Sequence, residues 1–298
     1  MEELKNCKLC EGSVFETHLK CRDHFLSGEE FIIARCTNCG FLFTNPRPEA
    51  AHLGAYYKSE NYISHSNNRK GLLNKIYHSV RRYNHKQKYK LISRLLQKGD
   101  ILDIGCATGE FLNYFKERGW QVIGVEPDAD ARAFAKTQYH IDVLPEEALT
   151  RIENRKFDII SLWHVLEHVP SLNERMKRIR DLLKDDGYVV IAVPNAKSND
   201  ASWYGEFWAG YDVPRHLYHF TQATAGALFK KHGFDLAEIH PMKFDAYYVS
   251  LLSEKYKTGK KSLVKAIKRG WKSNSWAKKN DSDYSSLIFI LKKQKTEL

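Results

Sequence analysis

The stretch from Ile101 to Phe111, Ile-Leu-Asp-Ile-Gly-Cys-Ala-Thr-Gly-Glu-Phe, constrains the fold of this chain more than any other part of the sequence. An apolar run interrupted only by Asp103 leads into Gly105 and Gly109, and the residues that follow place their apolar side chains on one side of a helix. Glycines permit a tight turn and a close approach of the backbone to a ligand. The stretch therefore predicts a strand, a ligand-binding turn and a helix, in that order.

A second predicted strand, Gln121 to Glu126, follows this helix and ends in an acid. Glu126 stands 21 positions after Gly105. At about this separation in a strand-helix-strand unit, a carboxylate reaches the paired hydroxyls of a ribose. The strand, turn, helix, strand and terminal acid together predict a nucleotide-binding site, whereas the glycine turn alone would be compatible with an ordinary corner.

The order Asp-x-Gly-x-x-x-Gly, with the acid inside the strand, resembles the first motif of class I S-adenosylmethionine-dependent methyltransferases. Ala107 stands where those families usually carry another glycine. The resemblance implies that Asp103 and Gly105 bind the methionine end of the cofactor and that Glu126 binds its ribose. It also implies that Leu144, Glu146 and Glu147, which follow a short third strand predicted at 141–143, are candidates to face the adenine. The alternative is that the two glutamates only lie exposed on the first turn of a helix.

The fourth predicted strand, 157–163, runs directly into the segment His-Val-Leu-Glu-His at 164–168. This segment also matches the His-x-x-Glu-His pattern of a zinc protease class, but Pro170 interrupts the helix on which such ligands must lie. Residues 163–169 resemble the fourth motif of quinone O-methyltransferases and of zinc-bearing sugar methyltransferases. With the first motif, the resemblance covers roughly residues 70–250. The predicted cofactor-binding residues are Asp103, Gly105, Gly109, Glu126, Glu146 and His164.

Transfer of a methyl group from a sulfonium ion requires an aligned acceptor lone pair and, for a hydroxyl or carbon acid, removal of a proton. Histidine near its unperturbed pKa suits that role. Because strand-end loops bind ligands in open α/β sheets, the histidines of the fourth motif are candidates. His168 is the first candidate for the catalytic base and His164 is the second.

Aromatic and imidazole side chains are dense between Trp203 and Phe220, after the fifth predicted strand at 187–193. Aromatic faces stack on sugars or other ring planes, and an arginine beside histidines suits phosphate or carboxylate. The alternative is a loop whose aromatic side chains only cover the sheet. The predicted substrate-binding residues are Trp203, Arg215, His216 and His219.

Two Cys-x-x-Cys pairs lie within the first 40 residues, with 25 residues between the pairs. Four thiolates on two tight turns are typical of a zinc ribbon, whose closed tetrahedral site is structural. Iron in the same cage and unligated cysteines are the alternatives, and nothing in the sequence indicates the oxidising compartment that disulfides require. The predicted zinc ligands are Cys7, Cys10, Cys36 and Cys39.

The net charge of +11 is distributed unevenly. Residues 251–298 carry 13 basic and 4 acidic side chains, and residues 91–150 carry 6 and 10. The segment 255–280 holds ten of the basic residues, no acid and two tryptophans, with Leu263, Val264, Ile267 and Trp271 at helical spacing. A basic amphipathic helix of this kind favours an anionic membrane surface or an acidic partner. A merely solvated basic face is the alternative.

We predict an open, seven-stranded, mostly parallel α/β sheet with an antiparallel last strand, preceded by a small zinc ribbon. The predicted domains are the ribbon at 1–48, a linker at 49–70 and a methyltransferase domain at 71–298 with a basic helical insertion at 251–284. The polar N-terminus lacks a signal-peptide core, and no run of roughly 20 apolar residues is present. We therefore expect a cytoplasmic protein, peripheral at the inner face of a membrane if the basic tail binds lipid.

The predicted activity is methyl transfer from S-adenosylmethionine to a hydroxyl or carbon acceptor on a small molecule, such as a sugar, a nucleotide-sugar or a lipid-linked intermediate. One alternative is an RNA methyltransferase that binds phosphates through the ribbon and the tail. The Asn/Asp-Pro-Pro-aromatic signature for exocyclic amines is absent after the fourth strand, so nucleic acid is the less expected partner. The other alternative is a non-catalytic S-adenosylmethionine-binding protein, against which the retained histidines argue.

Overall fold

The computed structural model describes residues 1–57, 72–153 and 155–295, with the backbone alone for 72–81. The strands are β1 (Phe15–Arg22), β2 (Glu30–Cys36), β3 (Leu42–Thr44), β4 (Asp100–Ile104), β5 (Gln121–Val125), β6 (Val143–Leu144), β7 (Phe157–Trp163), β8 (Leu183–Pro194), β9 (Tyr218–His219), β10 (Phe234–Pro241) and β11 (Ser286–Lys293). The helices are α1 (Leu72–Leu95), α2 (Glu110–Lys116), α3 (Ala129–Tyr139), α4 (Leu172–Leu182), α5 (Asn199–Tyr204), α6 (Gln222–Lys231), α7 (Asp245–Thr258) and α8 (Leu263–Ala277).

Contacts divide the chain into two compact units. Unit 1 comprises Met1–Ser59, His164–Met176 and Ile191–Leu291. Unit 2 comprises Glu60–Trp163, Lys177–Val190 and Lys292–Leu298. The two units are described separately below.

The seven-stranded sheet has the order β10-β11-β8-β7-β4-β5-β6, and it confirms the predicted open, mostly parallel α/β sheet with antiparallel pairing at the last strand. β4 pairs in parallel with β5 on one side and with β7 on the other. Strands buried on both faces carry nearly continuous apolar runs. The run at 189–193 is unbroken, and the run at 159–162 contains one polar residue, the buried Ser161. The short third strand of the unit lies at Val143–Leu144, slightly after the predicted 141–143.

A second sheet of four strands, β1-β2-β3-β9, lies within unit 1. β1 and β2 pair antiparallel from Phe15 opposite Cys36 to Arg22 opposite Glu30. β3 pairs with β2 and also with β9, where Phe43 lies opposite Tyr218. The pairing of β3 with β9 could not be predicted from the sequence, because it joins segments that are distant in the chain.

Helix boundaries follow local capping chemistry. The Asp128 side chain accepts a hydrogen bond from the Ala131 N–H and caps α3. Thr221 forms a reciprocal capping box with Thr224 at the start of α6. Local signals of this kind require no tertiary information, so these helix starts were predictable.

Part of the predicted organisation falls outside the described residues. Of the linker predicted at 49–70, residues 58–70 are not described, and the domain boundaries at 48 and 70 remain predictions. The first helix of the insertion predicted at 251–284 is α7, which begins earlier than that boundary, at Asp245. Among the described helices, none combines the length and apolar character that crossing a membrane requires.

Candidate functional site

The turn between β4 and α2 in unit 2 holds three residues in the left-handed region. Gly105, Ala107 and Gly109 have φ values of 72°, 47° and 75°. Backbone N–H groups of Gly105 and Cys106 both donate to the Val125 carbonyl, at 2.7 and 3.1 Å. This turn therefore wraps closely around the end of β5, and Ala107 occupies a conformation that glycine adopts with less strain.

Glu126, the residue after β5, is tied to the same turn. Its Oε2 accepts a hydrogen bond from the Ala107 N–H at 2.9 Å, and its Oε1 accepts one from the Asp128 N–H at 3.0 Å. Burial raises the pKa of Glu126 above its ordinary value, and these backbone hydrogen bonds offset only part of that rise. The two backbone hydrogen bonds hold Glu126 in one orientation. Each carboxylate oxygen keeps a second lone pair, which can accept a hydrogen bond from one of a pair of hydroxyls.

Asp103 lies inside β4 and is only 2% exposed. Its Oδ1 accepts a hydrogen bond of 2.6 Å from the Ser161 hydroxyl, on the neighbouring strand β7. Burial raises the pKa of Asp103 to about 7, although the Ser161 bond and the positive charge of Lys88 lower it. A cationic ligand group beside this carboxyl would favour its charged form.

The long helix α1 packs on α2 in unit 2. Tyr89 lies edge-on to Phe115, with 5.1 Å between ring centroids, and Lys88 Nζ stands 3.9 Å from the centre of the Trp163 ring. The sequence analysis singled out neither Lys88 nor Ser161. Glu146 begins the short helical turn Glu146–Arg151 after β6 and is half-buried, and its contact with adenine remains a prediction.

His164, the first residue after β7, belongs to unit 1 and adopts a left-handed conformation with φ of 57°. Its Nε2 lies 3.0 Å from Asp245 Oδ2, and its Nδ1 lies 3.3 Å from Glu167 Oε1. Burial lowers the pKa of His164, but the two carboxylates overcome that effect and raise it to about 10. At neutral pH His164 is therefore a positively charged imidazolium with both ring nitrogens protonated. This form suits a positioning role better than removal of a proton.

His168 has the opposite character. Burial and the neighbouring His216 lower the pKa of His168 to about 4, so its imidazole is neutral. Its Nδ1 lies 3.0 Å from the Arg215 carbonyl oxygen and 2.9 Å from the Tyr57 hydroxyl. The ring of His216 meets it edge-on, at 4.5 Å between centroids. The structure thus brings the two predicted histidines, one catalytic and one substrate-binding, into contact.

Arg215 is buried, with 3% of its side chain exposed. Its guanidinium donates to Asp23 and Asp212, each at 2.8 Å, and to the Tyr56 carbonyl at 3.1 Å. The guanidinium of Arg215 is therefore bonded to partners inside unit 1. Its binding to an anionic substrate remains a prediction, and the geometry instead gives it a structural task, which is to fix the loop that carries His216.

Two other predicted substrate residues have side-chain partners of their own. Trp203 is on α5 and largely exposed, with the Arg269 guanidinium 4.5 Å from its ring centre. His219 is buried in β9, where its Nε2 is 3.2 Å from the Thr44 hydroxyl and its ring meets Tyr211 edge-on. Burial holds the pKa of His219 well below its ordinary value. Their roles in substrate binding also remain predictions.

The four cysteines of unit 1 converge. The sulfur of Cys7 lies 3.7 Å from that of Cys39, and the sulfur of Cys10 lies 3.5 Å from that of Cys36. All four sulfur atoms lie within 4.8 Å of one another. A tetrahedral zinc ion with Zn–S bonds of about 2.3 Å separates its sulfur ligands by about 3.8 Å, so the tetrad fits zinc.

Three residues near the histidines were not predicted as functional. Glu167 was visible in the protease-like pattern and in the fourth motif, but no role was assigned to it. Tyr57 and Asp245 gave no signal, because the contacts that bring them to His168 and His164 span 111 and 81 positions of sequence. A motif spacing can show Glu167, whereas the other two require the folded chain.

Comparison with known proteins gives the family. A family model described as a methyltransferase domain matches residues 77–239. The ubiquinone biosynthesis O-methyltransferase of Rhodopseudomonas palustris (strain HaA2) is 30% identical over 139 residues, covering 44% of this chain and 55% of the relative. That of Glaesserella parasuis is 33% identical over 108 residues, covering 32% and 45%. The chain thus spans about half the length of the curated relatives it matches.

Solved structures share the fold. A methyltransferase described as SAM-dependent, from Archaeoglobus fulgidus, has a TM-score of 0.50 at 22% identity, covering 72% of this chain and 94% of its own. The 1,6-didemethyltoxoflavin-N1-methyltransferase of Burkholderia thailandensis, with bound 1,6-didemethyltoxoflavin and S-adenosylhomocysteine, has a TM-score of 0.50 at 16% identity, covering 92% and 100%. Because the family model matches more than half of the chain and the turn of unit 2 has the expected geometry, this chain belongs to the methyltransferase domain family, within the class I S-adenosylmethionine-dependent methyltransferases.

Proposed function

We propose that this chain transfers the methyl group of S-adenosylmethionine to a hydroxyl or carbon acceptor on a small molecule. The observation that carries the proposal is the turn of unit 2, where three left-handed residues adjoin the buried carboxylates Asp103 and Glu126. In this proposal Glu126 accepts hydrogen bonds from the ribose hydroxyls, and Asp103 faces the amino end of the methionine. The orientation of Glu126 is already fixed by two backbone bonds, so little is lost on binding.

The acceptor's proton is handled by the group formed by Glu167, His168 and His216 in unit 1. His168 remains neutral at physiological pH, whereas His164 remains protonated between its two carboxylates. Of the two predicted catalytic histidines, His168 is therefore the one with a lone pair to offer. His164 helps to hold Glu167 in place.

The curated relatives are O-methyltransferases, which favours an oxygen acceptor over a carbon one. Within that class we propose a small hydroxylated molecule such as a sugar, a nucleotide-sugar or a lipid-linked intermediate. The aromatic side chains of 203–220 support a ring-bearing acceptor, since aromatic faces stack on ring planes.

The test uses purified full-length protein, methyl-labelled S-adenosylmethionine and a panel of hydroxylated quinols, sugars and nucleotide-sugars. We expect calorimetric binding of the cofactor and acceptor-dependent formation of S-adenosylhomocysteine, which His168→Ala abolishes without weakening cofactor binding. Mass spectrometry of molecules that co-purify with the protein narrows the panel. Cofactor binding without turnover on any acceptor would indicate a non-catalytic binding protein, turnover only with RNA would indicate an RNA methyltransferase, and absence of cofactor binding would refute the proposal.

We also propose that Cys7, Cys10, Cys36 and Cys39 bind one structural zinc ion. The tetrad supports this because its sulfur separations match those of a tetrahedral thiolate site. Four protein ligands leave no open position for substrate. Metal analysis of carefully reduced protein should find one zinc per chain at this site, and iron instead would correct the identity of the ion.

The exposed face of α8 supports a further proposal, that unit 1 docks on an anionic membrane surface. Val264 and Trp271 are 78% and 62% exposed, and Leu263 and Ile267 lie exposed on the same face. The opposite face packs on α7, where Gly270 leaves room for Tyr247. Ten basic residues and no acid lie between 255 and 280, so the charge around this apolar stripe complements acidic headgroups.

Each cation near acidic lipid contributes about 1 kcal/mol at most, and salt weakens that contribution. Vesicles with and without phosphatidylglycerol separate this proposal from simple hydrophobic binding. We expect salt-sensitive binding to the anionic vesicles with a blue shift of tryptophan fluorescence, lost in the double variant Val264→Ser, Trp271→Ala. Trp276→Ala is the matched control, because Trp276 is half-buried and lies off the stripe. Binding to RNA instead of vesicles, or to neither, would refute the membrane proposal.

A further inference from the structure

Unit 1 contains a second group of ligating side chains besides the cysteine tetrad. One ligand atom each from Glu167, His168 and His216 lies within 4.8 Å of the other two. Neighbouring ligands of a metal ion with bonds of about 2.1 Å are about 3.0–3.5 Å apart, so a shift of roughly 1 Å or less would close the three atoms around an ion. Two imidazoles and one carboxylate are a frequent ligand set for divalent transition metals.

The two histidines are oriented in the way that metal-binding histidines usually are. The Nδ1 of His168 lies 3.0 Å from the Arg215 carbonyl, and the Nδ1 of His216 lies 2.9 Å from the Gly210 carbonyl. A carbonyl oxygen only accepts hydrogen bonds, so the contact with Gly210 places the hydrogen of His216 on Nδ1. For His168 the Arg215 carbonyl favours the same tautomer, in which the Tyr57 hydroxyl, 2.9 Å from this Nδ1, is a second acceptor. Each Nε2 is therefore left with its lone pair, and a backbone contact fixes the direction of each ring.

Glu167 provides an independent indication. Its side chain is fully buried, and within the described residues neither carboxylate oxygen has a hydrogen-bond donor in good geometry. The nearest positive group, His164, approaches one of these oxygens at 3.3 Å. The protonated His164 offsets part of the cost of burying this charge, and the lone pairs of both carboxylate oxygens remain available to a metal ion.

We propose that Glu167, His168 and His216 bind one divalent transition-metal ion, distinct from the ion of the cysteine tetrad. Three protein ligands leave coordination positions for other oxygen atoms. Building on the proposed function, one such position takes the acceptor hydroxyl. The bound cation lowers the pKa of that hydroxyl, and its proton passes to solvent water. The resulting oxygen anion then forms the O–C bond while the S–C bond breaks, and the sulfur keeps the electron pair.

Manganese(II) is a suitable probe, because thiolate sites prefer zinc and the histidine–carboxylate group accepts manganese. Full-length protein loaded with no more than one zinc ion per chain, which the cysteine tetrad takes, should bind one manganese ion per chain. The loss of the free-ion electron paramagnetic resonance signal measures this binding. Glu167→Gln and His216→Asn should each weaken this binding at least about 100-fold, since changes even outside the direct ligands cost 10–100-fold. The matched control is Glu254→Gln, another buried carboxylate, which accepts a bond from Tyr204.

Circular dichroism must first show that each variant is folded, and His216→Asn decides the matter if Glu167→Gln does not fold. No manganese binding to the wild-type chain, or equal binding to the ligand variants, would overturn the metal site. Cofactor calorimetry in the same samples is a separate readout, since the turn of unit 2 contains none of these residues. If the cofactor binds and turnover continues unchanged after chelation, His168 acts as a base alone, and only the metal inference fails.

Discussion

The cofactor turn of unit 2 and the histidine group of unit 1 are built in contrasting ways. The turn takes its parts from 103–126, a short stretch whose strands are neighbours in the sheet. The histidine group takes its parts from the N-terminal segment, the segment after β7, the loop at 210–216 and the start of α7. We therefore expect the turn to respond only to changes within it, and the histidine group to respond to damage far away in the sequence.

The largest expected effect is loss of the proposed zinc ion through Cys36→Ser. Zinc binding contributes on the order of 10 kcal/mol to folding in small metal domains. Cys36 ends β2, which pairs with β3 and through it with β9, directly after His216. The variant should lose zinc, and unit 1 should lose its ordered tertiary signals and its manganese binding, as measured by metal analysis and near-ultraviolet circular dichroism.

Cys21→Ala is the control for this experiment, because Cys21 is a buried thiol of β1 outside the tetrad. It should keep the zinc. Full zinc occupancy in the Cys36→Ser variant would contradict the assignment of the tetrad. If cofactor binding fell as much as manganese binding, the turn of unit 2 would depend on unit 1, and the expected independence of the turn would be wrong.

The next effect concerns the buried pair of Asp23 and Arg215. Removing one partner of a buried ion pair costs about 3–5 kcal/mol, and Asp23→Asn should lie near the lower end because Arg215 keeps Asp212. Glu30→Gln breaks the exposed pair with Arg22 and should cost no more than about 1 kcal/mol. Denaturant unfolding measures both, and similar values for the two variants would contradict the structural role of Arg215.

The same pair predicts a dependence on pH. Burial raises the pKa of Asp23, but hydrogen bonds from Arg215 and Ser27 bring it below its ordinary value of 3.8. A carboxyl with a depressed folded-state pKa stabilises the fold fully above its unfolded-state pKa, and the stabilisation is lost as the pH falls through the folded-state pKa. Acid unfolding of the wild type below about pH 4 should therefore be steeper than that of Asp23→Asn.

A smaller effect is expected at Glu126. Glu126→Ala should weaken S-adenosylmethionine binding by about 1.5–3 kcal/mol, the range for a hydrogen bond to a charged group. Calorimetry measures it, with the exposed Glu117→Ala as the control in the same unit. Manganese binding should not change in either variant. Unaltered cofactor affinity in Glu126→Ala would remove the basis for assigning the ribose contact.

The smallest effect distinguishes local strain from helix propensity. Ala107→Gly should stabilise unit 2 by about 1 kcal/mol, because Ala107 has a φ of 47° and glycine adopts that conformation without a steric penalty. The same substitution at Ala133, exposed within α3, should destabilise by about 1 kcal/mol. Thermal unfolding of the two variants measures the opposite signs, and equal signs would contradict the role of backbone strain at the turn.

These contrasts explain how far the sequence could be interpreted. The strands of the large sheet and the turn at Gly105 were predictable, because apolar runs, glycines and the spacing to Glu126 are local signals. The partners of His164 were not, since Asp245 begins a helix 81 positions later. The burial of Arg215 could not be predicted from the sequence either, because its partner Asp23 lies 192 positions earlier. Side-chain chemistry identified candidates for the acceptor site, but only the fold shows which of them meet.

The pairing of β3 with β9 has a consequence for protein synthesis. Phe43 pairs with Tyr218, and Phe41 stacks on Tyr218 with 5.7 Å between ring centroids. A ribosome adding about 5–20 residues per second needs on the order of ten to thirty seconds to reach Tyr218 after Phe43. During that time the nascent chain carries an open strand edge and an uncovered aromatic cluster, which are hazards for aggregation. All four cysteines of the tetrad have been made once Cys39 is added. A bound metal ion could therefore order the end of β2 before translation ends.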